Sequence, residues 1–396
     1  MSYRVPTRTV LAATAAALAC TLSPVAIAQD DDDAVSVTRP AADPAFARFT
    51  PSPAPVKTTR IDYTLWDDAL DFFVFPMGRS IREGAPSVEP GTGTRRVYGH
   101  DSRFRMEGNR IGFSFLSDEV IASLTEYRRD LESLPDQLDI TTLSRNEQLA
   151  FWINLHNVAV IEQIALNYPL SQPRLMKLGT QELPLDEAKM VTVSGVAMSP
   201  RDIREQIVYP NWSDPRIIYG FFRGDIGGPS IQREAFTARN LTEQLNKSAN
   251  EFVNSLRGVE KTGRTMRVSR IYAEAAPFYF PNWPADLRTH LATQAEDDVT
   301  AILAETRETR ATTYEFDIAD LQKGERDPGL VTVDADYGDG SGSQFNQTRV
   351  NRAIARLVGE RDRKIQKAFK RGELVGRVTV VPLDLGIEAP PPKEIE

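Results

Sequence analysis

The chain has 396 residues, 41% of them hydrophobic, with 47 Lys and Arg against 55 Asp and Glu, a formal net charge of −8. That acidic balance argues against wholesale nucleic-acid binding, and one cysteine, Cys20, leaves no disulfide framework. The length allows one large core or two smaller ones.

The first 28 residues read as a secretory signal peptide: Arg4 and Arg8 make a basic start, residues 10–22 an apolar run, and Ala26-Ile27-Ala28 a small-x-small cleavage pattern. The run is too short to span a bilayer. A rival reading lipidates Cys20 after Ala17-Leu18-Ala19, although the usual Leu three residues before the cysteine is missing. The expectation is an exported protein, periplasmic or secreted, of the cell envelope. Cleavage after Ala28 removes Arg4 and Arg8, leaving 45 Lys and Arg against 55 Asp and Glu, a charge of −10. The mature chain then has no cysteine, so thiol chemistry is excluded there.

Residues 29–58, acidic and then rich in Ala and Pro without an apolar period, predict a disordered tether. A folded domain is expected over 59–330. In YTLWDDALDFFV, Leu65, Ala69, Phe72 and Phe73 share a helical face, and RFRMEGNRIGFSFL alternates like a hairpin about Gly-Asn. A helix is predicted over 118–134, ending before Pro135. The next helix, LSRNEQLAFWINLHNVAVIEQIALNYP, has a capping box in Ser144 and Glu147 and stops at Tyr168-Pro169. VTVSGVAM reads as a tight hairpin, and SPRDIREQIV as a helix capped by Ser199 with Pro200 in its first turn. RIIYGFF, residues 216–222, predicts a strand buried on both faces. NLTEQLNKSANEFVNSL predicts an amphipathic helix, TMRVSRIY a strand, residues 283–306 one long helix and TYEFDIADL a strand.

Residues 331–347 read as a Gly/Asp-rich linker. Asp334, Asp336 and Asp339 do not make a calcium loop, since the position for its glycine holds Asp339 and that for its glutamate Phe345. Residues 348–396 predict a basic helix to about Lys370, a strand over 376–385 and a tail. Arg349, Arg352, Arg356, Arg361, Arg363, Lys364, Lys367, Lys370 and Arg371 outnumber Glu360 and Asp362, which suits either an anionic surface or a solvated outer face. The chain shows no phosphate loop with its lysine, no HExxH and no GxSxG, and no metal or cofactor is expected. The predicted fold class is α+β, a mainly helical single domain with a small mixed sheet that contains residues 216–222 and 265–271, plus a C-terminal helix-strand extension.

Three polar residues interrupt the apolar helix at FWINLHN. Asn154 and Asn157 lie about 60° apart on it, whereas His156 points about 160° from Asn154, so the three cannot share one small pocket. Buried amides must be paired. Asn154 and Asn157 either bond the backbone of a neighbouring segment or line a cleft, and His156 is either a hydrogen-bonded core residue or a general base. The loop FFRGDIGGPS offers Gly224, Gly227 and Gly228 for close backbone approach, as an anion nest or a tight turn. The candidate ligand-binding residues are Asn154, Asn157, Arg223, Gly224, Gly227, Gly228 and Ser230. The candidate catalytic residues are His156, Asp225 and Arg223, the last two on one side of an extended segment.

FWINLHN, followed by DPRIIYGFFRGDIGGPSI, resembles the family called domain of unknown function 547 over about residues 61–280. The family pattern places a histidine at Ile218 and cysteines at Arg223 and Gly228. Its cysteine and histidine on a helix-and-sheet scaffold resemble those of thiol hydrolases. The resemblance therefore implies a hydrolase-like fold without that chemistry here. Two functions follow as expectations: a non-catalytic binding or scaffold protein of the cell envelope, whose partner is an unidentified ligand or envelope protein, or a hydrolase with a replaced site using His156, Arg223 and Asp225.

Overall fold

The computed structural model describes residues 35–53, 58–88, 98–325, 330–335 and 346–372. The predicted signal peptide, the Cys20 alternative and the strand over 376–385 lie outside the described residues. Helix α1 (Thr64–Phe73) leads into β1 (Val74–Phe75), which pairs antiparallel with β2 (Arg110–Ile111). Helix α2 (Asp118–Gln137) precedes α3 (Arg145–Leu166), the helix of FWINLHN.

Ser144 caps α3 by accepting the Glu147 N–H at 3.2 Å. The reciprocal half of the expected capping box is spent elsewhere, because Glu147 Oε1 accepts the Ile61 N–H at 2.8 Å. Nineteen of the 22 residues of α3 are buried, so this helix is the axis of the core. It is apolar and long enough to cross a membrane by composition alone, and its burial among its neighbours accounts for that composition. Each buried Leu, Ile, Val or Phe on it contributes about 1.5–3 kcal/mol by leaving water. Helix α2 lies along α3 and ties Arg128 to the buried Glu162.

Beyond α3, β3 (Val191–Val193) and β4 (Val196–Met198) form the expected hairpin, with Ser194 and Gly195 at positive φ. Ser199 then caps α4 (Pro200–Asp202) in a full capping box, and the helix continues as a π-helical segment, Ile203–Val208, into α5 (Tyr209–Asn211). Helix α6 (Leu241–Val253) follows. The sheet that matters is three-stranded and mixed: β5 (Val259–Thr262) is antiparallel to β6 (Thr265–Ser269), and β6 is parallel to a later strand after the crossover α7 (Arg270–Tyr279), α8 (Ala285–Gln294) and α9 (Asp297–Glu305). That strand is β7 (Glu308–Thr313). The fold class is thus α+β, mainly helical with small sheets.

Several predicted elements differ. Residues 216–222 are not a strand: Asp214 accepts the Arg216 N–H and starts a 3-10 helix, Pro215–Gly220. A short apolar run carries no period that separates these outcomes. The predicted strand TMRVSRIY splits at Ser269, whose side chain caps α7, and residues 283–306 form two helices rather than one. Helix α2 runs two residues past Pro135, which its last turn accommodates. The RFRMEGNRIGFSFL hairpin is absent, because β2 pairs with β1 across the chain. TYEFDIADL contributes only the end of β7 and isolated bridges, Asp225 to Ile318 and Ile111 to Asp320.

The expected tether is ordered over its described part. Asp43 caps a 3-10 helix, Pro44–Phe49, whose Phe46 and Phe49 are buried, and Phe49 meets Trp152 of α3 edge-on at 5.2 Å. The expected linker is strand at both of its ends: β8 (Leu330–Ala335) pairs antiparallel with β9 (Asn346–Asn351), and the helix expected from residue 348 therefore starts only at Arg352. The basic helix is α10 (Arg352–Lys370), and part of its positive charge is engaged by the domain. Lys364 is buried and donates to the Met106 carbonyl at 2.9 Å, Arg361 donates to the Pro76 carbonyl at 2.8 Å, and Lys367 and Arg371 share Glu83.

Candidate functional site

The two buried asparagines of α3 each grip main chain. Asn154 donates to the Phe236 carbonyl at 2.7 Å and accepts the Phe236 N–H at 3.1 Å. Asn157 donates to the Gly220 carbonyl at 2.9 Å and accepts the Phe222 N–H at 3.0 Å. A side-chain amide thereby supplies the donor and acceptor that a sheet neighbour would otherwise provide. Asn157 fixes where the chain leaves the 3-10 helix, and the next residues are Arg223, Gly224 and Asp225.

Arg223 and Asp225 both line one cleft of about 260 Å³. Gly224 between them has φ +86°, and a Cβ there would meet Ile164 Cδ1 of α3 at 2.4 Å, so only glycine seats the loop against the core. Three of the loop's N–H groups are used internally. Ile226 donates to the Asp317 carbonyl at 2.9 Å, Gly227 to the Glu315 carbonyl at 2.8 Å and Gly228 to Asp225 Oδ1 at 3.0 Å. The anion-nest expectation therefore fails for these three groups, and Gly227 serves a close crossing of the loop over Glu315. Ser230 does not line the cleft: its Oγ accepts Arg257 Nη2 at 2.9 Å and the Asn109 N–H at 3.1 Å.

Asp186 is the electrostatic hub of the cleft. Arg204 grips it in a fork, Nη1 at 2.8 Å and Nη2 at 2.7 Å, while Arg201 approaches at 3.3 Å and Arg223 at 3.4 Å. Burial alone would raise the Asp186 pKa, but Arg204 and Arg223 outweigh it and hold the carboxylate well below its ordinary range. Arg223 also pairs with Glu274 at 2.5 Å, and against the cost of burial these two acids hold its charge firmly. Asp225 is different. Burial pushes its pKa up to about 7, partly offset by the Tyr314 hydroxyl at 2.9 Å, the Gly228 N–H and Arg223. A carboxyl that titrates near neutrality in a cleft is a mark of a functional position.

His156 does not reach this cleft. It is fully buried and meets the ring of Phe221 edge-on. Its Nε2 lies 3.0 Å from Arg204 Nη1, and since a guanidinium can only donate, Nε2 accepts and Nδ1 carries the proton to Asn157 Oδ1 at 3.0 Å. Burial first, then the charges of Arg204 and Arg223, hold its pKa well below the ordinary imidazole value. His156 therefore stands behind Arg204 as a neutral prop. The expected grouping of His156 with Arg223 and Asp225 is not formed, whereas Arg223 and Asp225 do come together.

Sequence reasoning missed most of the cleft wall: Asp186, Glu274, Tyr314, Phe316, Arg174 and Arg270. The i, i+2 spacing of Tyr314 and Phe316 was a usable signal, since both face the cleft. Among the described residues no group of three or more His, Cys, Asp or Glu is placed to hold a metal ion. The two positions where the family pattern has cysteine are neighbours, because a Cβ on Gly228 would lie 2.9 Å from Arg223 Cβ. Ile218, at the histidine position, is buried in the apolar core.

Comparison with protein families matches residues 140–253 to the family described as protein of unknown function, DUF547. No curated protein and no solved structure gives a match. The matched segment is shorter than the 61–280 expected and leaves out one wall of the cleft, the part carrying Arg270, Glu274, Tyr314 and Phe316. Residues 140–253, from the approach to α3 through the Arg223 loop to the end of α6, are thus the segment that matches the DUF547 family model.

Proposed function

We propose that this chain is an exported protein of the cell envelope that binds a small molecule in the Arg223–Asp225 cleft without covalent chemistry, on a hydrolase-like scaffold. One observation carries the reading. The cleft is walled by arginines, carboxyl groups and apolar side chains, with no serine, threonine, cysteine, lysine or histidine among its lining residues. Its one hydroxyl, on Tyr314, is buried and bonded to Asp225, and burial followed by the Asp225 charge raises its pKa well above the ordinary phenol value. Groups that orient a ligand are therefore present, and an activated nucleophile is not. Export is supported by the basic-apolar-small pattern of residues 1–28.

Thermal-shift screening of the mature chain from Gln29, repeated on Arg223→Ala and Asp225→Asn, tests this. A compound that raises the Tm of the parent and not of the variants supports the reading. Compounds that stabilise all three proteins equally speak against it. A second reading rests on the neutral-range titration of Asp225 beside Arg223: a hydrolase in which Asp225 activates water and Arg223 stabilises an anion. It predicts turnover that Asp225→Asn abolishes and His156→Gln leaves intact.

A further inference from the structure

The arginines of the cleft fall into two sets. Arg201 and Arg223, with Arg204 behind them, are compensated by Asp186, Glu187 and Glu274. Arg174 and Arg270 are not. Both are exposed, both line the cleft, and among the described residues neither makes an ion pair. Their recorded contacts converge on one ring: the Arg174 guanidinium lies 3.8 Å from the centroid of Phe316 and that of Arg270 lies 6.0 Å from it. Arg174 has one further partner, Gln172 Oε1 at 3.2 Å. Two positive groups held around an aromatic ring, with most N–H donors unspent, form a receptor for a planar anion. The same cleft has an apolar part, Val160, Leu185, Ile271 and the Phe316 ring. The cavity of about 260 Å³ suits a small molecule.

We infer that the cleft takes a small carboxylate with an apolar body, its carboxylate received between Arg174 and Arg270 and its body laid along Ile271 and Leu185. This rests on the reading of the cleft as a ligand site and adds the ligand's chemical class. Inorganic phosphate shares the charge but lacks the body. A neutral amide shares the body but lacks the charge.

The test is isothermal titration of the mature protein with benzoate, benzamide and inorganic phosphate. The variants are Arg174→Gln, Arg270→Gln, the charge-keeping Arg174→Lys and Arg270→Lys, Arg223→Ala, and Arg233→Gln as an exposed control away from the cleft. Benzoate is expected to bind at least about tenfold more tightly than benzamide or phosphate, the scale of one charge-assisted hydrogen bond. Each Gln variant should lose about tenfold, and each Lys variant, which keeps the charge but not the planar fork, should lose less than its Gln counterpart. Arg233→Gln should be unchanged. Equal binding of benzoate and benzamide, with both lost in Arg223→Ala, overturns the ligand class and leaves the cleft as a binding site. Stronger binding of phosphate overturns the apolar body. Benzoate binding indifferent to Arg174, Arg270 and Arg223 alike, or no benzoate binding at millimolar concentration, overturns the inference, and the former removes its support for the cleft as well.

Discussion

Asn157 holds Phe222 from inside the core: its Oδ1 accepts the Phe222 N–H at 3.0 Å while its Nδ2 donates to the Gly220 carbonyl at 2.9 Å. A helix side chain thus does for a loop what a strand neighbour does in a sheet. Arg223 leaves this anchor directly into the cleft, so the position of the site is set one residue from α3's grip.

Asn157→Ala would leave two buried main-chain groups unpaired, and the expected loss is about 1–3 kcal/mol in urea unfolding. Asn157→Asp keeps the acceptor for Phe222 but sets an oxygen against the Gly220 carbonyl, so it should be at least as damaging. Asn154→Ala should cost a similar amount through Phe236. The two anchors share no partner, and the double alanine variant should be additive within about 0.5 kcal/mol. Strong coupling between them would contradict two separate anchors.

His156 should show no imidazole titration between pH 5 and 8 in the folded protein, read from its ring proton resonances. Its depressed pKa fixes the sign of the linked effect. The unfolded chain takes the proton first, so the stability from neutral His156 is present above about pH 6.5 and falls as the pH drops below it. His156→Gln should remove that component of acid sensitivity. A His156 resonance that titrates near pH 6.5 would contradict its place behind Arg204.

Asp225 gives the opposite slope. Its native pKa of about 7 lies above the ordinary 3.8, so the native state holds the proton more tightly than the unfolded chain. The stabilising contribution of the neutral carboxyl is full below about pH 4, declines as the pH rises through 7 and is gone above it. The span is on the order of 4 kcal/mol for about three units. Asp225→Asn keeps an acceptor for Tyr314 and Gly228 and should flatten this decline. Unfolding free energies of parent and variant from pH 4 to 8 check it, and a pH-independent difference would contradict it.

Gly227→Ala should destabilise by about 1–3 kcal/mol, since a Cβ there would lie 2.4 Å from the Glu315 nitrogen and 2.7 Å from its carbonyl oxygen. The obstacle is backbone on both counts and cannot rotate away. Parallel loss of ligand-induced thermal shift would tie this crossing to the shape of the cleft, and an unaltered stability would contradict the close approach.

Local chemistry made part of this legible in the sequence. Ser144 before α3, Ser199-Pro200 before α4 and Ser194-Gly195 in the hairpin each carry their own backbone instruction, and each is found where expected. The presence of Arg223 and Asp225 in one cleft is in line with their two-residue spacing. What was illegible needed partners distant along the chain. The polar face of α3 cannot reveal that Arg204 takes His156 Nε2, 48 residues away, or that Asn157 takes Phe222, 65 residues away. RIIYGFF was misread because a short buried apolar run satisfies a 3-10 turn as readily as a strand once Asp214 caps it. Arg174 and Arg270, which make no ion pair among the described residues, come together at Phe316, which no spacing rule connects.

The most direct measurement is a turnover assay of the purified protein on small ester and amide substrates, with product release followed by mass spectrometry in parallel with binding. The account predicts saturable binding that Arg223→Ala weakens, and no release above the rate of the substrate in buffer. Release that the parent catalyses, that Asp225→Asn abolishes without unfolding the protein, would contradict it.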